Sequence, residues 1–241
     1  MRLTRGKLLG SAGLLPVLLL ATGCLVTDRP GQLRTEEQVV EAQGAQSAEV
    51  NLTIGAGELR VSGGAEPLMV ADFTYNLDEW QPQIDYSVRG GRGVLTVTQP
   101  EASVPESADI RYEWDIRLND DIPLDLSVTL GAGASNLDLS QLDLRTLTAN
   151  VGAGEGIVIL TGDYAEDVSA TIRGGVGGVT VLFSNDVGVR VEVAGGLGSI
   201  TAEGFSQDGR VYTNDAYGTS DVTLDVSIEG AVGSIQLQLV D

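Results

Sequence analysis

The stretch LDLSVTLGAGASNLDLS, residues 124–140, contains two alternating segments joined by a glycine step. Apolar and polar residues alternate from Leu124 to Leu130, which is the period-two pattern of a half-buried strand. The alternation resumes at Leu137, beyond the step. Glycine suits such a step because it accepts positive φ and lets neighbouring backbones approach closely. The stretch therefore predicts two strands joined by a tight glycine corner.

The same unit of strand, glycine corner and strand recurs along the chain. Repeats of roughly 20–30 residues built in this way are typical of stacked solenoids. We therefore predict an all-β fold, a right-handed β-helix or solenoid-like stack of short strands with Gly-x-Gly corners. In such a stack the C-terminal strand, residues 234–240, would form the exposed edge. The other steps lie at residues 55–57, 152–154, 175–177 and 196–198, with a degenerate one ending at Gly233.

Residues 65–120 depart from this regular spacing, since prolines and most of the aromatic residues fall there. The segment IRYEWDIRL, residues 110–118, nevertheless alternates strictly, which predicts that Tyr112 and Trp114 pack in the core. We interpret this region as hairpins that precede the regular coils. The predicted division is a signal peptide at 1–23, a flexible tether at 24–44, an N-terminal β subdomain at 45–120 and a Gly-repeat solenoid at 121–241. An edge strand around Val39 and Val40 could end the tether.

The N-terminus has the pattern of a secretory signal. Arg2, Arg5 and Lys7 precede an uncharged, mostly apolar run at residues 8–21. The run is shorter than the roughly 20 residues of a membrane-spanning helix and contains Pro16. The sequence therefore favours export of the chain over a permanent membrane span.

Cys24, the one cysteine of the chain, follows Thr22 and Gly23. This arrangement resembles the bacterial lipobox, in which the cysteine is lipidated after cleavage. Lipidation at Cys24 would anchor the protein to membrane lipid, and stable anchoring needs two or more acyl chains. The alternative is a plain signal peptide that is cut elsewhere, with Cys24 incidental. The predicted location is extracytoplasmic, lipid-anchored to the bacterial cell membrane.

Charge and composition exclude several classes of function. The net charge is −20, and the chain has no histidine. The single lysine, Lys7, lies in the predicted signal peptide, so neither nucleic acid binding nor a polybasic lipid-binding surface is expected. Missing histidine removes Ser-His-Asp and Cys-His nucleophile systems and the commonest metal ligand. We predict a protein that is not an enzyme and needs no cofactor.

The glycine steps themselves do not indicate a ligand site. A dinucleotide fingerprint needs a following helix, and none is predicted here. Calcium-binding β-roll repeats need an aspartate that the repeated steps lack. One loop with Asp208, Asn214, Asp215 and Asp221 has enough oxygen ligands for Ca²⁺, so a solvated turn and a weak cation site both remain open.

Aromatic and acidic residues leave a second possibility. Trp80 and Tyr86 lie in the irregular region and form a possible ligand surface, where aromatic rings could stack on sugars or on a protein partner. Neighbouring carboxylates such as Asp120 and Asp121 could in principle cleave a glycoside. In so acidic a chain, adjacent acids are more often solvated surface.

Four segments carry a resemblance to a known family: TIGAGELRVSGG at 53–64, LMVADFTYN at 68–76, YSVRGGRGVLTVTQP at 86–100 and the run from 114 to 144. They resemble the toast-rack family of bacterial envelope proteins, and the chain is similar to the C-terminal domain of cell-wall-active antibiotic response proteins. The resemblance implies an all-β stack outside the membrane. It implies no catalytic residues.

These observations lead to competing hypotheses on function. The first is a non-catalytic binding or scaffold protein of the cell envelope, with a role in envelope stress, signalling or adhesion. Its partner would be an envelope protein or cell-wall glycan. The alternative is a surface protein that binds or cleaves polysaccharide. A purely mechanical spacer is the third possibility.

Overall fold

The computed structural model describes residues 31–101, 110–195, 197–230 and 232–241. They form one open sheet of 15 strands with a short 3-10 turn at Asp78–Trp80. The predicted all-β, solenoid-like stack is confirmed. The predicted signal peptide and Cys24 lie outside the described residues. The strands are β1 (Arg34–Val40), β2 (Ser47–Ala65), β3 (Met69–Tyr75), β4 (Gln83–Arg89), β5 (Arg92–Thr98), β6 (Tyr112–Asn119), β7 (Leu124–Asp138), β8 (Leu144–Leu160), β9 (Val168–Ser184), β10 (Gly188–Ala194), β11 (Leu197–Ala202), β12 (Ser206–Asp208), β13 (Val211–Thr213), β14 (Thr223–Glu229) and β15 (Val232–Val240).

In the long strands, the alternation of buried and exposed residues shifts by one position at each glycine corner. In β2, Val50 and Leu52 are buried before the corner, and Leu59 and Val61 are buried after it. Side chains alternate between the two faces of a strand. In β2 the buried residues have even numbers before the corner and odd numbers after it, so both halves of the strand face the same core. We call the strand halves before the corners arm A and the halves after them arm B.

Parallel, in-register pairing of the long strands builds both arms. Val50 of β2 pairs with Leu126 of β7, which pairs with Leu147 of β8. Each coil therefore stacks its apolar residues on those of the next. The order in arm A is β4-β5-β2-β7-β8-β9-β14-β10-β13-β12, and in arm B it is β1-β3-β6-β2-β7-β8-β9-β15-β11.

Glycines at the corners let adjacent coils touch through their backbones. Gly154 has φ +131°, a value that L residues with side chains rarely adopt. A Cβ atom at Gly154 would overlap the carbonyl oxygen of Gly133 in the coil below, and one at Gly133 would overlap that of Gly57. The corner glycines are therefore required both by their dihedral angles and by the approach of the next coil.

The order of the last coils differs from the sequence prediction. The C-terminal strand β15 does not form an edge, because it pairs with β9 on one side and β11 on the other. The segment β14–β15 lies between β9 and the segment β10–β11, which precedes it in the chain. Alternation marks strands but carries no information on which strand stacks next to which, so chain order was the wrong guide here.

Part of the predicted tether is also corrected by the structure. Residues 34–40, inside the predicted tether of 24–44, form β1, which pairs antiparallel with β3. The Arg34 guanidinium lies 4.7 Å from the centre of the Tyr75 ring and donates a hydrogen bond of 2.6 Å to Asp78. Contacts with distant residues order this segment. Its polar composition is a local signal that does not reveal those contacts, and it therefore suggested a tether.

The sheet is continuous across the predicted boundary at residue 121. β2 pairs with β7 from Ala48 and Leu124 through Val61 and Leu137. The first glycine corner thus belongs to the same stack as the later ones. A division of the chain into two domains at this point stays a prediction.

We expect Gly154→Ala to lower the free energy of unfolding by about 2–4 kcal/mol, because it adds a backbone clash to an unfavourable φ. Ala153→Val is the matched control: Ala153 is exposed at the same corner, and Val176 occupies the paired position in the next coil. Urea unfolding followed by circular dichroism measures both variants. Equal stability of the two variants would contradict the role given to the glycine ladder.

Candidate binding surface

Trp80 lies in the core, and its predicted place on a ligand surface is therefore wrong. Its side chain is 6% exposed, and its ring meets that of Tyr112 edge-on at 5.0 Å between centroids. The Tyr112 hydroxyl donates a hydrogen bond of 2.8 Å to the Trp80 carbonyl oxygen. Trp80 sits in the irregular connection between β3 and β4, where no alternation could indicate which way the ring faces.

Tyr112 and Trp114 are buried, as their alternation predicts. Trp114 packs edge-on against Phe73 of β3, with 5.3 Å between ring centroids. Burial raises the pKa of the Tyr112 hydroxyl, because its anion would lose hydration in the core. The aromatic residues of this region thus form a packed cluster on β3 and β6 of arm B.

Tyr86 is half-buried on β4, at the far end of arm A. Its hydroxyl donates a hydrogen bond of 2.7 Å to the Ala42 carbonyl oxygen, and burial raises its pKa. The hydroxyl therefore holds the turn that follows β1. Trp80 contacts the aromatic cluster of arm B, so the structure does not unite Trp80 and Tyr86 in one ligand surface.

The acidic loop does not gather its oxygen atoms around a cation position. Asn214 is 6% exposed, and its side chain is used within the fold: the Oδ1 atom accepts from the Val189 amide at 2.9 Å, and the Nδ2 atom donates to the Val187 carbonyl at 2.8 Å. Within the described ranges, no three acidic side chains converge as metal ligands. The Asn214 side chain is thus used by the fold, and the solvated turn at Asp208, Asp215 and Asp221 stays a prediction.

Asp120, one of the two neighbouring acids considered as a catalytic pair, is used within the fold. It accepts a hydrogen bond from the Gly64 amide. The pKa of the Glu49 carboxyl is lowered, first by the Asn51 side chain and then by Arg92. A general acid needs a raised pKa, so Glu49 is unsuited to that role.

The outer side of arm A carries two rows of uncharged polar residues that cross the stack. Register places Thr96, Asn51, Ser127, Thr148 and Thr171 side by side on five neighbouring strands. A second row contains Thr98, Thr53, Thr129 and Asn150. We call these nine residues the hydroxyl face.

The spacing of the hydroxyl face follows from the parallel sheet. Neighbouring residues of a row lie about 4.8 Å apart, and the two rows lie about 6.5–7 Å apart. Alternation alone assigns these residues only to the solvent side of their strands. Their alignment depends on the register between coils, which no single strand reveals.

An ion-pair network borders the hydroxyl face along its N-terminal side, two residues before the first row on β2, β7 and β8. Arg92 contacts Glu49 at 3.0 Å and Asp125 at 2.8 Å, and the Thr146 hydroxyl donates to Asp125 at 2.7 Å. These carboxylates raise the pKa of the Arg92 guanidinium. An open depression lies between the network and the hydroxyl face, so a ligand here would meet polar groups on a shallow surface.

Comparisons with known proteins agree on the architecture. Residues 29–182 match the family model for the N-terminal domain of toast_rack, DUF2154. A crystal structure of a candidate cell adhesion protein from Clostridium sporogenes is 35% identical, with a TM-score of 0.83 over 87% of this chain and 100% of that one. No curated protein matches the chain.

More distant solved structures are also similar to the chain. A candidate lipid binding protein from Parabacteroides distasonis is 14% identical over 88% of this chain and 98% of that one, with a TM-score of 0.35. A candidate adhesin from Bacteroides fragilis is 11% identical over 87% and 99%, with a TM-score of 0.31. Among the residues that the structure describes, no helix is long and apolar enough to span a membrane.

The buried tyrosines predict a loss of stability in alkali. Burial raises the pKa of Tyr112 and of Tyr164, whose hydroxyl donates to the Leu139 carbonyl at 3.2 Å. Above a pH of about 10 the unfolded tyrosines release their protons while the folded ones keep theirs, so the free energy of unfolding falls as pH rises.

We expect Tyr112→Phe and Tyr164→Phe each to reduce this slope, measured by urea unfolding between pH values of about 8 and 11. Tyr217→Phe is the control, because Tyr217 is 41% exposed and lies outside the core. If Tyr217→Phe flattens the slope as much as the other two variants, the assignment to the buried hydroxyls is wrong.

Proposed function

Because the chain belongs to the toast-rack family, we propose that it is a non-catalytic binding protein of the bacterial cell envelope, lipid-anchored through Cys24 and exposed outside the cytoplasm. The observation that carries this proposal is its similarity, over nearly the whole chain, to a candidate cell adhesion protein at 35% identity. Adhesion by such a protein depends on presenting a rigid surface to a partner. The partner is an envelope protein or cell-wall glycan.

The architecture supports a role in binding. A stack of in-register parallel coils exposes broad sheet faces whose side chains are fixed in regular rows. The depression beside the hydroxyl face is open to solvent, and the two carboxylates that border it, Glu49 and Asp125, are held in ion pairs with Arg92. Such surfaces suit recognition of an extended partner better than enclosure of a small substrate.

The proposed anchor would hold the stack close to the membrane. Nine residues lie between Cys24 and the start of β1 at Arg34, and the ten Cα-to-Cα steps of this segment span at most about 35 Å. The excess of acidic residues opposes adsorption to an anionic bilayer. Attachment would therefore rest on the acyl chains.

We expect Cys24→Ala to abolish metabolic labelling with a fatty acid and to move the protein from the membrane fraction to the soluble or secreted fraction. Leu25→Ala is the control, because it alters the neighbouring residue and keeps the thiol. Labelling and fractionation of cells that produce the full chain measure the effect. Persistence of labelled Cys24→Ala protein in washed membranes would contradict the anchor.

A second candidate function, binding of cell-wall glycan, is favoured by the hydroxyl face. Its nine residues are uncharged in a chain of net charge −20. Hydroxyl and amide groups in flat rows can exchange hydrogen bonds with the hydroxyl groups of a polysaccharide. The basis for this candidate is the outer side of arm A, because the aromatic rings that first suggested it are buried or half-buried.

We expect Thr148→Glu to reduce co-sedimentation of the full chain with insoluble cell-wall glycan by about tenfold, since it places a carboxylate in the middle of the hydroxyl face. Thr180→Glu is the matched control: the same charge is added to the outer side of arm B, on the next strand. Equal binding of both variants would refute glycan binding by this face and leave a protein partner as the proposal.

A further inference from the structure

β11 forms an uncovered edge of arm B. It pairs in parallel with β15, from Leu197 and Val232 to Ala202 and Leu237. On its other side, the part of the chain that the structure describes supplies no strand. The backbone N–H and C=O groups along that side are therefore available to another strand.

The other edges of the sheet carry features that discourage pairing. β1 contains Arg34, Glu36 and Glu37, and β4 contains Asp85 and Arg89. β12 is three residues long and ends in an aspartate. Charges and short length are the means by which proteins protect sheet edges.

β11 has none of this protection. Its sequence, LGSITA, contains no charged residue and no proline over six residues. Among the four edge strands of the described residues, it alone is uncharged. An edge of this kind is a template for addition of a further strand.

Ile200 shows what a further strand would cover. In the inward-facing row of arm B, Val179 of β9 and Ile235 of β15 are each 4% exposed, whereas Ile200 of β11 is 42% exposed. Ile200 faces the same side of the sheet as the core residues but has a neighbouring strand on one side only. A strand added to β11 would bury this side chain.

We propose that β11 pairs with β11 of a second copy of this protein, antiparallel about a two-fold axis, to give a dimer with a continuous arm B sheet. The self-complementary edge favours this occupant: β1 or β4 of another copy would bring charged residues against an uncharged strand. A two-fold contact is also closed, whereas stacking of β11 on β1 would generate an open filament.

The two-fold arrangement pairs like residues without opposing like charges. With Ile200 on the axis, Ile200 lies opposite its equivalent, and Ser199 lies opposite Thr201 of the second copy. Glu203, the first charged residue after β11, falls opposite Leu197 and away from its own equivalent. Directly opposed apolar residues stabilise an antiparallel pair.

The dependence of dimer affinity on salt concentration distinguishes this contact from one held by ion pairs. Each copy has a net charge of −20, so long-range repulsion opposes the dimer. Added salt screens that repulsion and leaves hydrogen bonds and apolar contacts in place. The proposed dimer therefore tightens as ionic strength rises, whereas a dimer held by ion pairs would weaken.

Sedimentation of the full chain carrying Cys24→Ser, in detergent solution, tests the proposal without the anchor. We expect a dimer, and we expect Ile200→Lys to raise the dissociation constant by about tenfold or more, because it puts a charge on the pairing edge. Ile157→Lys is the matched control, since Ile157 is 40% exposed but lies on β8, within the sheet. Circular dichroism confirms that both variants are folded.

Crosslinking identifies the strand that pairs. In the Cys24→Ser background, Ile200→Cys supplies the single thiol, and a short bismaleimide should link two copies through it. Ile157→Cys should not be linked. A monomer at every salt concentration, a dimer that survives Ile200→Lys, or equal crosslinking of both thiols would each overturn the proposal, whatever the outcome for glycan or anchor.

Discussion

The close approach of backbones at the glycine corners is the constraint on which the stack depends. Gly133 and Gly154 leave no room for a Cβ atom between one coil and the carbonyl oxygen of the next. This contact fixes the register of the corner, and the register then aligns every residue of the two arms. The leucine and valine rows of the core and the polar rows of the hydroxyl face follow from the same alignment.

The sequence predicted those parts of the fold that depend on local patterns. Alternation placed Tyr112 and Trp114 inside, and the glycine steps placed the corners. The sequence-based prediction failed for residues whose position depends on contacts with distant parts of the chain. β1 is ordered by β3, and Trp80 is buried by a hydrogen bond and a ring contact from Tyr112, which is 32 residues away.

The candidate site also depends on contacts that the sequence of a single strand does not reveal. Each residue of the hydroxyl face is an ordinary outward Ser, Thr or Asn of its own strand, and the proposed binding surface depends on the register of five strands. Trp80 and Tyr86 had the residue types expected of a ligand surface, but the Trp80 ring is buried against Tyr112 and the Tyr86 hydroxyl bonds to the Ala42 carbonyl oxygen. Residue type therefore placed Trp80 wrongly, and strand register indicates a different candidate surface.

Insertion of β14–β15 between β9 and β10–β11 has a consequence for the order of assembly. A chain that leaves the ribosome or the export channel from its N-terminus produces β9, β10 and β11 before the strands that join them. The coils up to β9 can stack as they emerge, whereas the segment β10–β11 has no docking place until the last residues arrive. The stack can therefore be completed only after the C-terminal strands are present. The contacts that complete it join residues far apart in sequence, and such contacts form slowly during folding.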